Sequence, residues 1–141
     1  MMRNTTDALE NQLLAKGRRG QLSVLGQPDI LDLHCAARES GIPPTVLREM
    51  CAAGQLLSLT IPGTDENPHF PAWQFEQPVL DAMPTILQAF GSDRTWQAYD
   101  FLTRPEPLLA GEVPLNVLRA GGRDAVLGIA SAAARMDEGG Y

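Results

Sequence analysis

The 141-residue chain is poor in the residues that most active sites and metal centres are built from. Histidine appears twice, at His34 and His69, and cysteine twice, at Cys35 and Cys51. No His-x-x-x-His, Cys-x-x-Cys or glycine-rich phosphate loop occurs, so no catalytic residues, no metal and no cofactor are expected. Cys51 with His34 is the one arrangement that a nucleophilic mechanism would use, and both read better as core or boundary residues. Gly121-Gly122 precedes a helix but follows no strand, so it reads as a turn between helices. Asp65-Glu66 reads as a solvated turn. Long apolar runs are also missing. The first twenty residues have none, so no signal peptide is expected, and nothing approaches the ~20 residues of a membrane span. A cytoplasmic protein with free thiols follows as the expectation.

Positive charge is scarce. Eleven Lys and Arg face seventeen Asp and Glu, for a net charge of −6, and Lys16 is the only lysine. An acidic chain repels nucleic acid and anionic lipid unless its basic groups are segregated. Arginine, the basic type that remains, carries a planar fork suited to pairing with carboxylates at interfaces.

What is present is a chain that is 44% hydrophobic, with 13 glycines and 11 prolines that punctuate it into short elements. At this length it needs no disulfide or metal to fold. Residues 1–21 are polar and read as a flexible arm, with a short helix over Asp7–Lys16 stopped by the glycines. Leu22 and Val24 alternate with polar residues, which predicts a short extended piece. Asp29 is the expected N-cap of a helix carrying Ile30, Leu33 and Ala37 to Ser40, with Gly41 in its left-handed cap. Pro43-Pro44 opens a second helix with Val46, Leu47, Met50 and Cys51 on its apolar face, closed by Gly54. Leu57, Leu59 and Ile61 alternate as in a half-buried strand, a turn runs from Pro62 to Pro68, and His69-Phe70 returns.

Residues 22–71 thus read as a winged-helix-like module: a helix-turn-helix with a short β-hairpin wing. The step from Gly41 to Gly54 and the Ala36-Ala37 pair resemble the excisionase or MerR type. The remainder, 72–136, reads as all helical with no strand. Pro84 is expected to start a helix with Ile86, Leu87 and Phe90. Ser92 or Asp93 should cap the next, which holds Trp96, Tyr99 and Leu102. Pro114 opens a third with Leu115 and Leu118, and Arg123 to Arg135 forms the last, before a C-terminal tail at 137–141. Trp96 is expected at the centre of these helices beside Leu102 and Leu118. The fold class is mainly α.

Phe70-Pro71-Ala72-Trp73-Gln74-Phe75, then Trp96, Phe101-Leu102-Thr103, Pro105, Leu109, Gly111, Pro114, Leu118 and Gly121 follow one another in an order that resembles the toxin-binding domain of Xre/MbcA/ParS-type antitoxins. The resemblance covers about residues 70–134. Most of these positions also have a structural role as helix punctuation and core.

The resemblance implies an antitoxin that covers the NAD pocket of a RES-domain toxin, a homodimer, and autoregulatory DNA binding. Toxin-binding candidates are Trp96, Arg104, Leu109, Arg119, Arg123, Arg135, Met136, Asp137, Glu138 and Tyr141. The tail acids, with Tyr141, would mimic NAD as a plug. DNA-binding candidates are Lys16, Arg18, Arg19, Thr45 and Arg48. Charge argues for weak DNA binding: from 29 to 78 only Arg38 and Arg48 stand against Asp29, Asp32, Glu39, Glu49, Asp65, Glu66 and Glu76. The family's usual helix-turn-helix also differs from the one here. The module either binds DNA as a dimer with help from the arms or serves as a folding platform. The alternative function is a transcription regulator whose helical part only dimerises it.

Overall fold

A computed structural model of the chain describes residues 16–139. They form a mainly helical protein around a small three-stranded sheet. Residues 16–25 are helical and are labelled α1. Then follow β1 (Ile30–Asp32), α2 (Leu33–Ser40), α3 (Pro44–Ala52), β2 (Leu59–Ile61) and β3 (Asp65–Pro71). A 3-10 turn at Ala72–Phe75 leads into α4 (Gln77–Phe90), α5 (Thr95–Thr103), a second 3-10 turn at Pro107–Leu109, α6 (Pro114–Arg119) and α7 (Arg123–Gly139).

The sheet order is β1-β3-β2, both pairs antiparallel. Leu31 pairs with Phe70, and both pack on α2 and α3 in a cluster with Ala36, Leu47 and Leu56. Ile30, one residue away, belongs to the opposite cluster with α4 to α7, since neighbouring strand residues face opposite sides. The sheet is therefore a wall with a core on each face.

Several local expectations are met. Gly41 caps α2 at φ 75°, a left-handed conformation that a residue with Cβ resists. Pro44 sits in the first turn of α3, where its missing N–H has no helical partner to lose. At Gly122 a Cβ would stand 2.6 Å from Val117 Cγ1, so any larger residue in the tight turn into α7 would force Val117 to shift.

Others are corrected. Leu22 and Val24 lie in a helix, not an extended piece, and the arm boundary at 21 falls inside it. Gly17 and Gly20 each weaken that helix by roughly 1 kcal/mol. Burial of Val24 and Leu25 against the larger core supports it at the C-terminal end. The helix expected over Asp7–Lys16 lies outside the described residues, save its last position. Ile30 is strand, because pairing with Pro71 claims it, and the cap of α2 is Asp32 rather than Asp29. The Asp32 Oδ1 atom accepts from the Cys35 amide at 2.8 Å.

Pro84 lies inside α4 instead of starting it. An interior proline costs about 3 kcal/mol. Val79, Ala82, Met83, Ile86, Leu87 and Phe90 are all buried along α4, and that burial outweighs the cost. Neither Ser92 nor Asp93 caps α5; the cap position is Arg94, with no side-chain cap bond. No strand occurs among the described residues after Pro71, apart from a single bridge between Glu106 and Glu112. The last helix continues beyond Arg135 to Gly139, so the tail expected from 137 is helical that far; Tyr141 lies outside the described residues.

Candidate interaction surfaces

Two side chains lock the helical part onto the β2 segment, and a third ties two helices together. Gln74, fully buried, accepts from the Leu57 amide at 2.8 Å and donates to the Leu57 carbonyl at 2.8 Å, doing for that residue what a neighbouring strand would do. The Trp96 indole N–H donates to the Thr60 carbonyl at 2.8 Å. Leu57 thereby lies buried just outside β2 rather than in it. Arg94 donates to the Ala134 carbonyl at 3.1 Å and lies over the Phe90 ring, tying the C-terminal end of α7 to that of α4.

Trp96 is therefore not the central core residue expected of it. It is half-buried at the seam, edge-on to Tyr99 with ring centroids 5.9 Å apart. Trp73, 6% exposed, takes the core position and stacks on Tyr99. A tryptophan whose N–H needs an acceptor settles where a strand carbonyl is within reach. Sequence spacing alone did not separate the two tryptophans.

The other toxin-binding candidates divide between two ends of the helical part. Arg104 and Met136 line one groove of about 310 Å³, together with Phe90, Phe101, Ala133, Pro105 and Glu106. Met136 is 60% exposed there, and Arg104 pairs with Asp100 at 3.4 Å. Arg135 is exposed one residue before Met136. At the other end, Arg119 holds Glu76 by three hydrogen bonds of 2.6 to 3.2 Å. The Arg119 guanidinium keeps the Glu76 carboxyl below its ordinary range, chiefly through those hydrogen bonds. The Glu76 end and the Phe90 end of α4 are separated by roughly 20 Å of helix. Arg123 is exposed at the start of α7 and Leu109 is half-buried against the core. The side chains of Asp137 and Glu138, like all of Tyr141, lie outside the described residues.

Of the DNA-binding candidates, Lys16, Arg18 and Arg19 are exposed on α1, and Thr45 and Arg48 on α3. Arg48 lines a second groove, about 420 Å³, with Asp32, Leu33, His34, Asn67, Pro68 and His69. Nothing in the sequence joins His34 to His69, which lie 35 positions apart and on different elements. Strand pairing of Asp32 with His69 brings them to one groove. His69 Nδ1 is 2.9 Å from the Asn67 carbonyl, so a proton on that nitrogen donates to it. The Asp32 carboxyl is lowered from its ordinary range, first by the Cys35 amide and only secondarily by the two histidines.

Cys51 and His34 do not meet. His34 lies in the α3–β3 groove, and Cys51 lines a separate cleft with Ser58. Burial raises the Cys51 pKa, which holds it as a thiol. Among the described residues no cluster of His, Cys, Asp or Glu could hold a metal ion, and no helix is long and apolar enough to cross a membrane. No family model, no curated protein and no solved structure matches the chain.

Proposed function

We propose that this chain is a protein-binding inhibitor, an antitoxin of the Xre/MbcA/ParS type that blocks a RES-domain, NAD-degrading toxin. The observation that carries the reading is how the spaced motif sits in the helical part. Phe101, Leu102 and Leu118 are buried, Pro114 opens α6, and Gly111 and Gly121 take positive φ angles of 85° and 90°. The motif thus acts as one set of punctuation and core for a single helical unit. The groove at Arg104 and Met136 is the surface assigned to the toxin, because it joins an exposed apolar side chain to basic and acidic rim groups. The chain itself performs no catalysis in this scheme, acts in the cytoplasm and forms a homodimer.

A plug made by a loose tail is replaced by the tip of α7, since the backbone is helical through Gly139.

A second reading, a winged-helix transcription regulator, is favoured by one observation. The order β1-α2-α3-β2-β3, with β3 between its partners, suits a helix-turn-helix and wing, and Arg48, His34 and His69 share the groove between them.

Co-expression and pull-down with the product of the adjacent reading frame tests the first reading. Arg104→Glu with Met136→Asp should release that partner while leaving the melting temperature unchanged. A partner retained by the double variant removes the groove from the scheme. A duplex shift at low salt that is lost in Arg48→Gln, with no partner captured, would favour the regulator.

A further inference from the structure

A third cavity, about 540 Å³, lies at the junction of the two regions and belongs to neither surface above. That volume is within the range of small-ligand sites, which favour such junctions. Its walls are the C-terminal end of α3 with Cys51, Ala52, Ala53 and Gly54, then Leu56 and Ser58, the last turns of α4 with Pro84, Leu87 and Gln88, and the connection to α5 with Gly91, Ser92 and Thr95. None of these carries a charge, Cys51 being held as a thiol by burial.

Two helix C-termini meet at this cleft. Helix carbonyls point toward the C-terminal end and sum there to about half a negative charge. The turns that follow return amides to Glu49, Met50 and Cys51 on α3 and to Leu87 on α4, which leaves the Ala52, Ala53 and Gln88 carbonyls without a backbone donor. Asp93 adds a carboxylate beside the mouth, its Oδ1 3.4 Å from where a Gly91 Cβ would stand. Arg94 gives hydrogen bonds to the Phe90 and Ala134 carbonyls and does not line the cleft, and Arg48, whose charge reaches Cys51, lines the other groove. Pro84 and Leu87 supply apolar wall. Pro84 stands inside a helix against local preference, at the lip of this cleft.

We propose that the cleft between α3 and α4 binds an aliphatic ammonium group on a short apolar body, either a free primary amine or a lysine side chain. The ammonium donates to the helix-end carbonyls and its carbon chain lies against Pro84 and Leu87. Anions of the same size are excluded by the two helix ends and Asp93.

The test is an amide-resolved NMR titration of the full chain with n-butylammonium, n-butanol and butyrate, which differ mainly in charge. Saturable shifts at Gly54, Gln88, Gly91 and Ser92 with butylammonium, at least about tenfold stronger in affinity than with butyrate, support the site. No saturable shift, or equal response to butyrate, overturns it. N-acetyl-lysinamide separates the sources: tighter binding than butylammonium assigns the cleft to a peptide lysine, weaker binding to a free amine. Gln88 is exposed, so Gln88→Lys should fold and place its own ammonium in the cleft, weakening butylammonium by about tenfold. Unchanged affinity in that variant would also overturn the proposal. Butylammonium should further slow alkylation of Cys51 and leave Cys35, outside the cleft, unaffected.

Discussion

On one face of the sheet α2 and α3 rest on four buried side chains, Ala36, Leu47, Leu56 and Phe70. On the other face Ile30, Leu57 and Leu59 join a continuous core that runs through α4, α5 and α6 to Ala134 on α7. The first core is helped by half-buried neighbours such as Met50 and Cys51, while the second is filled by Trp73, Met83, Ile86, Leu102 and Leu118. Buried apolar area sets most of the stability, so the helical side carries the fold and the α2–α3 side is a lighter unit attached to it. The attachment is polar as well as apolar: Gln74 to Leu57 and Trp96 to Thr60. A surface for a partner belongs on the rigid side, and a segment that can open locally belongs on the other.

The largest expected effect is from Ile86→Ala. Ile86 is fully buried on α4, and its truncation should cost about 2–5 kcal/mol. Because the sheet shares this core, a thermal melt should show both regions unfolding together at a lower temperature. A melt in which α2 and α3 survive would break the comparison. Gln74→Ala comes next. It leaves the buried Leu57 amide and carbonyl without their partner, at about 1–3 kcal/mol. Amide exchange at Leu57 and Leu59 should accelerate more than at Ile86. Trp96→Phe keeps most of the apolar contact and loses the Thr60 bond, for about 1 kcal/mol by denaturant titration.

The smallest effect concerns Glu76 and Arg119, which are 43% exposed, so screening holds the pair to at most about 1 kcal/mol. The folded-state pKa of Glu76 is depressed, so its stabilisation is present above the ordinary carboxylate pKa and disappears as pH falls through the folded value. The difference in melting temperature between the parent and Glu76→Gln should therefore be visible at neutral pH and vanish in acid. A difference that grows in acid would mean the pair has been misread.

Short-range signals were legible in the sequence wherever one residue determines the backbone. Gly41, Pro44 and Pro114 ended or opened helices where expected. The failures come from tertiary competition. Pro84 sits inside a helix because six buried neighbours hold it there, and Ile30 is strand because Pro71 is available to pair with it. Leu22 and Val24 alternate like a strand over too few residues to exclude a helix. Of the surfaces, the exposed arginines were legible by charge, but the partners of Arg104 and Arg119 were not. The groove that joins His34 to His69 follows from strand register and the cleft between α3 and α4 from helix packing, and neither leaves a spacing in the chain.

The central proposal is inhibition of a toxin, and the most direct measurement is NAD consumption by the product of the adjacent reading frame, tested as a RES-domain toxin, with and without this chain. The account predicts that an equimolar amount of the chain stops NAD loss, and that Arg104→Glu with Met136→Asp restores it while remaining folded. NAD loss that continues at full rate in the presence of the folded parent chain would contradict the account.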